Sequence, residues 1–536
     1  MTKKKILVST LAATLLMTAF ATSAFTKAGT QGSDAGNAKL VGNMFTQGLP
    51  ILKEKKTYKI AVTKHPDSQN GFADKQCVIQ TEKMTNVHIE WIDIPEAAWN
   101  EQVNIMLASG NLPDAFSGRD VDIMQNIDLF RPLSKDISKY CPNITEMLTK
   151  DKNVKKAITA PNKEIYSLPT DKANPSSNVG GLIWINGEWL KKLGKKVPTT
   201  TDEFEDVLRA FKKGDPNGNG KADEIPFVAR QADRDNQCLD PLLGAFGASD
   251  NPDYVYSIDG KKVLFSGTQP GYYEGLKWLH KLYAEGLLDR ETFSQTNAQV
   301  NAKAASPEMI VGSIMYFIPD SMDKRFTDYI PLEPLRGPKG FHRWNRNKQP
   351  IGNMQGFSIT KQCKEPAVLL RYYDTLISNL DMVMNWQWGP ENAGAWDRVG
   401  NEGHWTQTNK YLPKGMNLTQ FKRTVCGSLF SPMYMWSKWA NMEVPDDRNR
   451  KKRVANDKVL PSAVHVMPRG VYDSKKVSAR NALFTDIDNY MQKFLATSVV
   501  NGINDAQWKE HLNKCKQLRT AEYTAMWQEY YNYAGK

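Results

Sequence analysis

The sharpest chemical pattern in this sequence is a run of oxygen-bearing residues from Asp215 to Glu224. Asp215, Asn217, Asn219 and Asp223 fall at positions 1, 3, 5 and 9 of a loop, with Gly220 at position 6 for a sharp turn. That is the spacing by which an EF-hand surrounds a hard cation, and the Lys221 carbonyl fills position 7. Position 12 departs from the pattern, because Pro226 stands where a bidentate Glu is needed. Glu224, next to Asp223, is the carboxylate available to replace it. Calcium with a structural role is the expectation, and a polar turn without an ion is the alternative.

A second cluster lies between Asn385 and Trp396. It interleaves Trp386, Trp388 and Trp396 with Asn385, Gln387, Glu391 and Asn392, and contains Gly389 and Pro390. Sugars present apolar C–H faces to flat rings and hydroxyls to amides and carboxylates, so this mixture suits a carbohydrate. Trp386, Trp388, Glu391 and Trp396 are therefore candidate ligand contacts, joined by Trp184, Trp344 and Ser117. Core packing is the alternative for any one of the 14 tryptophans.

Signatures of catalysis are absent. The sequence has no GxSxG, no HExxH and no phosphate loop ending in Lys-Ser/Thr. Acidic residues are numerous, yet no motif singles out a glycosidase pair. The six cysteines, at 77, 141, 238, 363, 426 and 515, are too far apart for a zinc pair or a CxxC. Buried free thiols are expected, with one or two bridges as the alternative. The net charge of +12 is spread along the chain, with only short basic runs at 191–196 and 448–453. Nucleic acid is not indicated as a partner.

These candidates need elements to position them. Tyr58–Val62 and Val87–Ile94 read as strands around a helix, followed by a helix over Ala97–Ser109 and a strand from Asp114. Such alternation implies a parallel sheet, with ligand beyond the carboxyl ends of its strands, which makes Ser117 a rim residue. A second α/β region follows. It holds a helix near Thr200–Lys213, with Thr200 and Glu203 as a capping box and Phe204, Val207, Leu208 and Phe211 as its buried stripe. Tyr272–Glu285 is another amphipathic helix, with Leu276, Leu279, Leu282 and Tyr283 inward. Phe357–Thr360 reads as a strand returning to the first region, and a helix ends near Leu380. Two long helices, near Ser478–Ser498 and Asp505–Tyr533, close the chain. Its 536 residues exceed what one core organises, so two or three domains are expected.

The N-terminus sets the compartment. Lys3–Lys5, the apolar run Ile6–Phe20 and the small residues Ala21, Ser23 and Ala24 form a secretory signal, and the run is too short to span a bilayer. Export is expected, with residues 1–24 as signal and 25–50 as a flexible tether.

Several segments together resemble the family 1 extracellular solute-binding proteins of ABC transporters. They are WNEQVNIMLASGNLPDAF (99–116), EWLKKLGKKVPTTTDEFEDVLRAFKKGDPNGNGKADEIPF (188–227), GLKWLHKLYAEGLLD (275–289) and GFSITKQCKEPAVLLRYYDTL (356–376). The closest likeness is to the oligosaccharide-binding branch with the alginate-binding and LipO-like proteins, in which the 215–224 loop holds calcium. The resemblance implies an α/β, two-lobed periplasmic-binding-protein-like fold with discontinuous lobes and a multi-strand hinge. Lobe 1 would take 51–180 and 351–400, lobe 2 would take 181–350, and 401–536 would cross the hinge and end in helices. It further implies a monomer that captures an oligosaccharide without chemistry and delivers it to a membrane permease. Many relatives carry a charged residue where Asn186 stands, which implies a ligand less anionic than alginate. Many also carry a lipobox cysteine after the signal, whereas the first cysteine here is Cys77, so a lipid anchor of that kind is not expected. A secreted carbohydrate-active enzyme, or a binder of peptides or another polar solute, is the competing expectation.

Overall fold

Order begins earlier than composition suggests. The computed structural model describes residues 38–534 apart from 174–178, 180, 233–236, 250, 259, 318–325, 346–352, 401–402, 417, 464–466 and 469. Leu40–Val41 and Met44–Phe45 pair as an antiparallel hairpin, and Met44, Ile51 and Leu52 are buried. The tether expected over 25–50 is thus corrected for 38–50. The signal 1–24 and the remainder of the tether lie outside the described residues. The physical reason is remote: Arg371 donates to the carbonyls of Phe45 and Gly48, and the Thr85 carbonyl accepts from the N–H groups of Ile51 and Leu52.

The first elements follow the sequence pattern. Strand β1 (Lys56–Lys64), helix α1 (Gln76–Thr85), strand β2 (Val87–Pro95), helix α2 (Trp99–Ser109) and strand β3 (Ala115–Ser117) alternate as expected. Ile60, Ala61, Val62 and Thr63 are all buried, as in a strand covered on both faces. Helix α2 stops at Gly110, whose φ of 73° is left-handed backbone that glycine adopts at no steric cost. Strand β4 (Ser167–Lys172) precedes the second region.

In that region come β5 (Leu182–Asn186), α3 (Gly187–Lys192), α4 (Thr201–Lys213), β6 (Ile225–Val228), α5 (Pro270–Ala284), β7 (Val311–Tyr316) and β8 (Tyr329–Pro331). Helix α4 carries both halves of its capping box, and all four residues of its stripe are buried. On α5 Leu276, Leu279 and Leu282 are buried, while Tyr283 is only partly so. The sheet runs β8-β5-β7-β6, with β7 parallel to β6 and antiparallel to β5.

The chain then returns through β9 (Asn353–Ile359), α6 (Pro366–Leu376), α7 (Leu380–Gln387), β10 (Trp396–Val399), α8 (Leu418–Val425) and β11 (Tyr434–Met435). Strand β9 enters the first sheet antiparallel to β3 and β4, giving the order β11-β4-β9-β3-β1-β2. The sheet is therefore mixed rather than parallel. Strand β9 arrives by a long excursion and not by a crossover helix, so the rule for βαβ units does not bind it.

Two compact units result. One joins residues through Ile158 with Glu164–Lys172 and Gly352–Val444; the other joins Thr159–Lys163, Ala173–Ile351 and Pro445–Lys536. Residues 401–444 stay in the first unit, because β11 completes its sheet. The chain ends in α9 (Ser474–Asn501), α10 (Asp505–Gln517) and α11 (Thr520–Ala534). One helix was expected over Asp505–Tyr533. It breaks at Arg519, whose φ of 58° is left-handed. All six cysteines are buried, and none is in a disulfide. Among the described residues no helix is long and apolar enough to cross a membrane.

Candidate ligand-binding site

Beyond the carboxyl ends of β1 and β3 in the first unit lies a crevice that sequence reasoning missed. His65 follows β1 directly, and Arg423 sits in the last turn of α8. An Arg423 Nη1 hydrogen reaches Asp67 Oδ2 at 2.9 Å, and the same nitrogen lies 3.0 Å from His65 Nδ1. Nδ1 also accepts from the Asp67 N–H at 3.0 Å. With Nδ1 accepting, the ring proton belongs on Nε2, which faces Glu96 Oε2 at 3.3 Å. Burial, reinforced by the Arg423 charge, lowers the His65 pKa from its ordinary value, so the ring is neutral at pH 7. Glu96 also pairs with Arg119, and Phe430 stacks on His65 at 6.3 Å.

The wall behind Arg423 is held firmly. The Arg423 carbonyl accepts from Lys75 Nζ at 2.5 Å and from Ser68 Oγ at 3.0 Å. Lys75 is 3% exposed and has no carboxylate partner among the described residues; it closes the C-terminal end of α8, where a cation is favoured. Gly118 abuts the crevice: a Cβ there would meet Phe430 Cβ at 3.1 Å and Thr63 Oγ1 at 3.2 Å. Guanidinium, carboxylates and imidazole together offer the hydrogen-bonding groups that a polyhydroxylated ring needs.

Ser117 ends β3 beside this crevice, fully buried, with no hydrogen-bond partner on Oγ among the described residues. The tryptophans do not join it. Trp386 is fully buried on α7, its Nε1 donating to Thr81 Oγ1 at 3.0 Å and its ring against Phe72, Trp91 and Tyr372. The helix expected to end near Leu380 ends at Leu376, and a new one starts there because Asn379 Oδ1 caps the Met382 N–H. Trp388 is covered by Lys422, 3.3 Å from its centroid, by Lys172 and by Trp405. Trp396 donates to the Gly389 carbonyl, Trp184 to that of Tyr316 and Trp344 to that of Gly181. All five rings are at most 3% exposed, so the platforms expected of them are corrected to core residues. Glu391 is half-buried in a pair with Arg398, whose guanidinium lies over the Trp396 ring. Asn186 is fully buried and caps α3 through Oδ1, so its residue type reflects a helix start and says nothing of ligand charge.

In the second unit the 215–224 loop follows α4. Asp215 Oδ1 accepts from the N–H groups of Gly218 and Asn219, and Oδ2 from that of Gly220. Asn217 and Asn219 donate their amides to Asp223, which lowers the Asp223 pKa. Glu224 Oε1 is buried without a partner among the described residues, and burial together with Asp223 and Asp215 raises the Glu224 pKa. Among the described residues no three His, Cys, Asp or Glu side chains converge on one point. The donor set still suits a hard cation, because the orphaned Glu224 oxygen lacks a positive partner and the loop already turns at Gly218 and Gly220.

The profile of the family described as bacterial extracellular solute-binding protein matches residues 65–379. The fructooligosaccharide ABC transporter substrate-binding protein FusA of Streptococcus pneumoniae is 31% identical over 504 residues, covering 90% of this chain and 91% of FusA. The structure of FusA with kestose superposes with a TM-score of 0.76 at 27% identity, over 89% of this chain and 99% of FusA. A solute-binding protein from Bifidobacterium longum subsp. infantis shares the fold, with a TM-score of 0.80 at 24% identity over 90% of this chain and 99% of that one. The fold is thus the two-lobed, periplasmic-binding-protein-like α/β architecture.

Proposed function

The chain belongs to the bacterial extracellular solute-binding proteins, and from that membership we propose that it captures an oligosaccharide outside the cell for an ABC transporter permease. The observation that carries the reading is the His65–Arg423–Asp67 cluster at the carboxyl ends of β1 and β3, set in a chain similar to FusA over nine-tenths of its length. Planar charged groups bind adjacent hydroxyls in pairs. The ligand leaves unaltered, its differential contacts with open and closed forms shifting the population toward the form the permease accepts.

Calcium belongs to the same reading. Asp215, Asn217, Asn219, the Lys221 carbonyl, Asp223 and Glu224 would hold it, and its contribution is structural, fixing the loop after α4. The likeness to FusA, one of whose structures is described as an EF-hand mutant, supports this. Export follows from the basic, apolar and small-residue order of residues 1–24.

Calorimetry of the full chain with kestose, fructo-nystose and trigalacturonate tests the function, with chromatography of the recovered ligand. The expected result is micromolar or tighter binding of at least one glycan, about −8 kcal/mol, with the ligand recovered intact. Arg423→Met should weaken it by roughly 1.5–3 kcal/mol, the value of hydrogen bonds to a charged group. Cleaved ligand with turnover would establish an enzyme instead.

A further inference from the structure

The crevice below His65 has a floor that the free protein leaves unused. Thr63, the penultimate residue of β1, is fully buried, and its Oγ1 has no hydrogen-bond partner among the described residues. A buried hydroxyl without a partner costs the folded state stability and gives nothing back within the unit. Lys75 lines the same crevice. Its ammonium has three N–H bonds; two reach Ser68 Oγ at 3.1 Å and the Arg423 carbonyl at 2.5 Å, which leaves one. The crevice that both line encloses about 10 Å³, the room of a single water-sized group. A sugar ring does not fit, but one of its oxygens does.

We propose that Thr63 and Lys75 form a subsite for one hydroxyl of the bound oligosaccharide, whose ring lies on the rim at His65 and Arg423. A hydroxyl accepts from the free Lys75 N–H and donates to Thr63 Oγ1, giving each a partner. The subsite makes binding sensitive to the presence and configuration of that one hydroxyl, because a site built to bond a hydroxyl rejects a ligand that lacks it. This rests on the oligosaccharide reading above.

Thr63→Val is the decisive variant, since it keeps the shape and the branched side chain that suits a strand and removes only the oxygen. The full chain and its variants are titrated by calorimetry with whichever of kestose, fructo-nystose and trigalacturonate the wild type binds, and melted without ligand. T63V should melt at the wild-type temperature or above it, yet bind at least tenfold more weakly. Thr63→Ser, which restores the hydroxyl, should bind within about threefold of the wild type. Unchanged affinity in T63V overturns the subsite and leaves the function standing. A lower melting temperature in T63V also overturns it, because the hydroxyl would then have a partner inside the free protein. If the wild type binds none of the three, the oligosaccharide reading falls and the subsite falls with it.

Discussion

Replacing Trp386 with alanine separates two roles that a tryptophan beside a binding crevice can have. The ring is fully buried, 6.4 Å from both Phe72 and Trp91 and edge-on to Tyr372 at 6.3 Å. Truncating a core tryptophan costs about 3–5 kcal/mol, from lost transfer energy and from the cavity left behind. The lost Nε1 bond adds little, since the Thr81 hydroxyl still donates to the Cys77 carbonyl at 2.7 Å and is not orphaned. A loss of that size is a large part of the 5–15 kcal/mol typical of a folded domain. Urea unfolding followed by far-UV circular dichroism should therefore show a markedly lower midpoint, and Trp386→Phe should recover much of it. Affinity should fall only indirectly, through Phe72, which packs on Trp386 and lines the crevice. If W386A unfolds at the wild-type midpoint while its oligosaccharide affinity drops tenfold or more, the ring is a sugar platform and the core assignment is wrong.

Stability should also depend on pH through His511, which is 1% exposed with Nε2 on the Gly267 carbonyl at 2.8 Å. Burial pushes its pKa down to about 4 from 6.5, so the unfolded chain takes the proton first, and roughly 3 kcal/mol present above pH 6.5 is lost as pH falls toward 4. Denaturation midpoints between pH 7 and 4.5 should show this slope, and His511→Gln should flatten it. Calcium at 100 times its dissociation constant should stabilise the second unit by about 2.7 kcal/mol. Asp215→Ala with Asp223→Ala should abolish that gain, and a wild-type melting curve indifferent to chelator would remove the ion from the account.

What the sequence made legible was local. The capping box at Thr200 and Glu203 and the stripe Phe204, Val207, Leu208 and Phe211 lie within one helix, so a window of a dozen residues contains the whole argument. Strands β1 and β2 read correctly for the same reason. The aromatic cluster at 385–396 misled because residue type was read without its period. Leu380, Val383, Met384 and Gln387 continue a helical spacing, and Met382 to Trp386 is an i, i+4 pair within it. That period, with Asn379 ahead of it as a cap, was the available signal that Trp386 belongs to a helix facing the core.

The crevice was illegible for a different reason. Its two walls, 63–75 and 423–430, lie about 350 residues apart, and neither has a motif of its own. They meet because residues 352–444 return to the sheet that β1 began, after the whole second region has intervened. Lys75 then closes the end of α8, and in doing so holds Arg423 by its backbone while leaving the guanidinium to His65 and Asp67. The backbone bond fixes where the arginine starts, and the crevice fixes where it ends. Such a device depends on one side chain from each wall, so it exists only in three dimensions. The contrast between Thr63 Oγ1, which has no hydrogen-bond partner among the described residues, and Arg423, whose Nη1 is held by Asp67 and His65, is likewise a property of the assembled sheet and of no segment within it.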